Sequence, residues 1–161
     1  MPGLETRAIV ERLLAVLDEA AEGASGPATY FVDDRPDSGL FGSLLALDAA
    51  DASRAVAGTS VAAHVHHVAF AMRASADWIA GDRTPRDWGA SWQVSSVDAV
   101  AWSLLVERLR QEYRGLRAVI ESGAVAGEDA FGEAVGSIAH VAYHLGSIRQ
   151  KLAVLREANG S

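Results

Sequence analysis

The sequence predicts an all-α fold, a four-helix bundle, and three observations carry that expectation. Four stretches place apolar residues at the 3.6-residue period of a buried helix face. Glycines punctuate the ends of these stretches, and no segment between them alternates apolar and polar residues as a half-buried strand does. The chain has 161 residues, half of them apolar, which is enough to bury a core without staples and fits one domain over 1–161.

The first long helix is expected to open at Thr6, a fair N-cap, and to end near Glu22 ahead of Gly23. Ile9, Val10, Leu13, Leu14, Leu17 and Ala21 mark its inner face. A connection rich in Gly, Pro and Asp runs from Ala24 to Ser38, interrupted by Thr29-Tyr30-Phe31-Val32, a short extended piece. Asp37-Ser38-Gly39 signals a turn. Leu40, Phe41, Leu44, Leu45 and Leu47 then mark a short extra helix before the second long one, and Asp48 to Ala57 reads as a helical turn or loop. Thr59 or Ser60 caps the second long helix, which runs to Ala80 and stops at Gly81. Its seam is Val61, Val65, Val68, Met72 and Ile79, and beside it lies a stripe of Ser60, His64, His67, Ala71, Ala74 and Trp78. After a loop carrying Pro85, Trp88 and Trp92, a third helix spans about Ser96 to Glu121, with Ala101, Leu105, Leu109, Tyr113, Leu116 and Ile120 inward. The fourth starts near Asp129 and reaches about Ala158. Its seam is Ile138, Val141, Leu145, Ile148, Leu152 and Leu155, flanked by Ser137, His140, His144 and Ser147.

Composition excludes several classes of function. There is no cysteine, so no disulfide framework, zinc ribbon or thiol nucleophile is available, and any metal must be held by His, Asp or Glu. A formal net charge of −7 argues against nucleic acid, and the scattered basic residues argue against an anionic membrane surface. The opening residues lack the basic segment and long apolar run of a signal peptide, and no stretch approaches a membrane span, so the expected location is cytoplasmic.

The chemistry concentrates in histidine. His140 and His144 lie four apart, which on a helix sets two imidazoles on one face, roughly 40° apart around the axis and about 6 Å along it. Two desolvated imidazoles need partners for their ring nitrogens, and a metal ion supplies one; hydrogen-bonded core histidines are the competing reading. Val141 occupies the position that a glutamate base would take in H-E-x-x-H, which disfavours a metalloprotease. A third partner is available in Ala63 to Phe70, where His64, His66 and His67 cluster.

The segment HVAYHLGSIRQ resembles the last helix of the DinB/YfiT-like metal-dependent family, whose pattern is close to H-x-x-Y-H-x-G-Q-I. His140, Tyr143, His144, Gly146 and Ile148 match, and Ser147 stands where Gln is common. Ser60 to Phe70 resembles that family's second helix, and Asp98 to Trp102 the start of its third. The resemblance implies an antiparallel four-helix bundle, often a homodimer, holding zinc or nickel on three histidines: His67, His140 and His144. His64, one turn before His67, is the reserve or additional ligand, and His66 points away. The implied activity is a metal-dependent thiol transferase or isomerase using a low-molecular-weight thiol, or a hydrolase. A non-catalytic metal-binding, stress-associated or interaction protein is the alternative. No general base or nucleophile is identified beside the metal. Trp88 and Trp92 are expected to cover one mouth of the bundle, Tyr143 to lie off the seam, and Arg149 and Lys151 to be solvated or to attract an anionic substrate.

Overall fold

The computed structural model describes residues 5–35 and 37–159. The first residues of the stretch read for a leader (1–4), Pro36 in the Gly/Pro/Asp connection and the last two residues of the expected domain lie outside them. The described residues are all-helical: α1 (Thr6–Ala21), α2 (Leu40–Leu44), α3 (Ala49–Ser53), α4 (Val61–Ile79), α5 (Ala99–Glu121) and α6 (Glu128–Asn159), with 3₁₀ turns at Ala90–Trp92 and Ala124–Ala126. Val56 and Thr59 form an isolated antiparallel bridge.

The four long helices form where the apolar period predicts them, and their ends follow from local chemistry. Ser60 caps α4 by accepting from the Ala63 amide at 3.1 Å, and Asp98 caps α5 by accepting from Ala101 at 2.8 Å. Each such cap is worth about 1 kcal/mol, because it satisfies an amide that the helix itself leaves unpaired. Gly123 ends α5 in the left-handed conformation at φ +82°. At α1 the expectation fails in detail: Glu5 holds the N-cap position without a side-chain cap bond, and Thr6 is already helical. The extra segment is also richer than expected. Asp48 accepts from the Asp51 amide at 2.8 Å and nucleates a second short helix, α3, so that two short helices rather than one join α1 to α4.

Helix α4 packs against both α5 and α6, and α1 lies against α5 and α6. Leu17 from α1, Met72 from α4, Leu109 and Leu116 from α5 and Leu145 and Ile148 from α6 are fully buried between them. Each such side chain contributes about 1.5–3 kcal/mol through removal from water. Small residues bring the backbones close. Ala62, Ala63, Ala69 and Ala71 of α4 are all buried, which leaves room for its histidines on the side that faces α6.

The Thr29–Val32 run forms no strand; α1 tethers it instead. The buried carboxylate of Glu19 accepts from the successive amides of Tyr30, Phe31 and Val32 at 2.8, 2.8 and 3.3 Å. Three donors with no strand partner are thereby satisfied by one side chain, and Val32 is pinned into the core. Lys151 departs from expectation. Instead of being solvated it is buried, and its ammonium donates to the Val56 carbonyl. Arg149 pairs with Asp33 at 2.8 Å.

Candidate metal centre

Two helices and one loop supply the site. α4 carries His64 and His67 on the stripe beside its seam, and α6 carries His140 and His144 on the corresponding stripe. Packing of α4 on α6 turns the two stripes toward each other. The Nε2 atoms of His67 and His140 are 3.1 Å apart, and those of His140 and His144 are 3.0 Å apart. One nitrogen from each of His67, His140 and His144 lies within 4.8 Å of the others, so the three can hold one metal ion. A tetrahedral ion with imidazole nitrogens at about 2.0–2.1 Å separates them by about 3.3 Å. The two spacings to His140 Nε2 are within a few tenths of an ångström of that. The donor set is also chemically suitable, since neutral imidazole is a common ligand for divalent transition metals.

Burial favours the neutral, ligating form of each ring. His67 and His144 are almost fully buried and His140 is half-buried. Desolvation is the main cause of their lowered pKa values, about 4 for His67 and about 3 for His144, with mutual repulsion adding to both. His140 is lowered as well, again by burial, and the nearby Glu133 carboxylate offsets part of it. Neutral rings present a lone pair inward at neutral pH, which is what a cation requires.

The tautomer of His67 follows from its neighbours. Ser91 donates its single hydroxyl proton to the Trp88 carbonyl at 2.6 Å. Its oxygen, 2.7 Å from His67 Nδ1, is therefore left to accept. His67 carries its proton on Nδ1 and shows a bare Nε2 to the other two histidines. The loop that bears Ser91 is held by α4 itself, because His66 Nδ1 donates to the Ser91 carbonyl at 2.7 Å. His66 thus points away from the centre, as its position on the helix predicts, and anchors the loop that orients His67.

Trp92 follows in the same loop and stacks on His67, with ring centroids 4.0 Å apart and planes 18° apart. It also meets His64 edge-on at 5.4 Å. Trp88 lies 6.3 Å from His67 and packs edge-on against Phe70. These two tryptophans do cover the histidines, and Trp92 is the more intimate of the pair. Tyr143 meets His144 edge-on at 5.1 Å, yet the residue is 69% exposed, so it borders the centre on the solvent side.

His64 does not join the inward set. Its Nδ1 faces Nδ1 of His144 at 2.8 Å and its Nε2 faces Thr59 Oγ1 at 3.1 Å. Sequence reading named every histidine of the cluster but missed Ser91 and Thr59. Ser91 sits in a segment with no periodicity, and Thr59 reads only as an alternative helix cap.

No family model matches the chain, and no curated protein or solved structure matches it. No helix among the described residues is long and apolar enough to cross a membrane.

Proposed function

We propose that this chain is a DinB-like protein, an antiparallel four-helix bundle in which His67, His140 and His144 hold zinc or nickel and act on a low-molecular-weight thiol. The observation that carries the metal reading is the convergence of three histidines from two facing helices, with His140 Nε2 at 3.1 Å from that of His67 and 3.0 Å from that of His144, and one nitrogen of each within 4.8 Å of the others. The motif His140-x-x-Tyr143-His144-x-Gly146 supports the family, and the mutual packing of α1, α4, α5 and α6 is compatible with its bundle.

Three inward protein nitrogens, with His64 turned aside, favour an open coordination position over a closed structural site, which normally takes four protein ligands. When bound, a divalent cation supplies Lewis acidity that lowers the pKa of an approaching thiol. The chain's own residues do the rest. Ser91 keeps His67 in the ligating tautomer, and Trp92 excludes water from one side of that ring. Tyr143 stands at the exposed border where a small substrate enters. A thiol transferase or isomerase is therefore the reaction class we favour over hydrolysis, and a homodimer is the assembly that the family resemblance brings with it.

The test is metal content, followed by chelation. Purified protein is expected to retain stoichiometric zinc or nickel after dialysis, and His140→Ala to lose it. Retention as tight in His140→Ala as in the parent would refute the ligand set. Thiol conjugation to a small electrophile, screened over several low-molecular-weight thiols, is expected to stop on chelation and resume on reloading. Conjugation indifferent to chelation removes the thiol-activation reading and leaves a metal-binding bundle without that chemistry.

A further inference from the structure

The contact between His64 and His144 contains a constraint that neither ring alone reveals. Two Nδ1 atoms 2.8 Å apart are hydrogen-bonded only if a single proton lies between them. If both carried one they would repel, and if neither did two lone pairs would face each other. In the metal reading, on which this inference rests, His144 offers Nε2 to the ion, so its only proton is on Nδ1. It follows that His144 donates, that His64 Nδ1 is bare, and that the proton of His64 sits on Nε2. That atom has an acceptor waiting, the hydroxyl oxygen of Thr59 at 3.1 Å. One proton assignment satisfies all four positions.

We propose that His64 is a positioning residue of the centre, holding His144 with Nε2 toward the ion, and that Thr59 positions His64 in turn. The arrangement is built rather than incidental. Thr59 closes a four-residue turn with Val56, paired by Val56 N to Thr59 O at 2.9 Å and Thr59 N to Val56 O at 3.4 Å. Both central residues of that turn, Ala57 and Gly58, have positive φ, +50° and +84°. Lys151 donates to the Val56 carbonyl from α6, seven residues beyond His144 and on the same face of that helix. Helix α6 therefore supplies both the ligand and the cation that fastens the turn behind it. His64 is buried, so no water competes for its Nδ1. Ser91 does for His67 what His64 does for His144, and the two inward nitrogens are fixed by independent outer contacts.

The experiment compares the parent with His64→Leu, which keeps the bulk without an acceptor, and His64→Asn, whose Oδ1 stands near the place of Nδ1. Zinc affinity and the visible spectrum of the cobalt-substituted protein are read for each, with a thermal melt as a check of folding. His64→Leu is expected to lose about ten-fold to a hundred-fold in zinc affinity and to change the cobalt spectrum, while His64→Asn stays close to the parent in both. Parent-like affinity and spectrum in His64→Leu overturn the proposal. A failure of His64→Leu to fold moves the decision to nitrogen-15 NMR of the zinc-loaded parent. There, His144 protonated on Nδ1 and His64 on Nε2 support it, and a His64 nitrogen bound to zinc overturns it. A parent that takes up neither zinc nor cobalt refutes the metal reading itself, which separates that failure from this one.

Discussion

Single side chains decide this site through where they put protons. Ser91 is fully buried, and its hydroxyl links His67 Nδ1 to the Trp88 carbonyl. Ser91→Ala leaves the buried Nδ1–H of His67 without its partner, at about 1–3 kcal/mol, while the Trp88 carbonyl still accepts from the backbone amide of residue 91. The variant is therefore expected to melt lower than the parent. It is also expected to bind zinc about ten-fold more weakly, because His67 becomes free to carry its proton on Nε2. Calorimetric titration with zinc checks this, and an unchanged affinity would show that the ring is oriented by Trp92 stacking alone. At this scale the sequence is legible only in part. The four-residue spacing of His140 and His144 announces a shared face. The partners of His67 and His144, by contrast, are set by where a loop and a turn dock on α4. Ser91 lies 24 positions from His67, and no local pattern encodes such a contact. Glu19 is a second example: it reads as an ordinary helix acid, yet it is buried beneath three backbone amides of a distant segment.

Elements differ in how much freedom their glycines have, and two positions make the contrast measurable. Gly42 in α2 lies against the backbone of Asp37, itself at φ +60°, and a Cβ added there would collide with the Asp37 carbonyl. Gly146 in α6 has no heavy atom near the place of its Cβ beyond its own helix. Gly42→Ala is expected to destabilise by about 1–3 kcal/mol through overpacking. Gly146→Ala is expected to stabilise by about 0.5–1 kcal/mol, because alanine has less backbone entropy to lose in a helix. Urea unfolding of the two variants is the measurement, and equal signs would contradict the packing described for α2. The same contrast explains what the pattern conveyed about elements. The long helices are legible because each repeats its period over four turns or more, so one ambiguous residue changes little. The 37–59 region is not, since α2 and α3 have five residues each and are fixed by a cap, a glycine and contacts with the long helices.

For the whole molecule, the consequence of burying this cluster is a pH-dependent stability whose sign is determined. An unfolded histidine titrates near 6.5, whereas His64 and His67 are lowered to about 4 and His144 to about 3, all chiefly by desolvation. His140 is lowered in the same direction. Between these values and 6.5 the unfolded chain therefore binds more protons than the folded one, and stability rises with pH across that window. The contribution is present in full above 6.5 and is lost as pH falls toward 4. Thermal midpoints of the metal-free protein are thus expected to hold steady from about pH 8 to about pH 7 and to decline from about pH 6 to about pH 4. Excess zinc raises the midpoint by binding the folded form, and the increment is expected to shrink over the same window, because protons compete for the ligand nitrogens. A variant that removes the cluster's protonation, with His64, His67, His140 and His144 all replaced by Gln, is expected to lose both the slope and the zinc increment. A metal-free midpoint that does not move between about pH 7 and about pH 5 would mean that the histidines are hydrated rather than buried against one another. Such a result would count against the packing of α4 on α6 from which the centre is built.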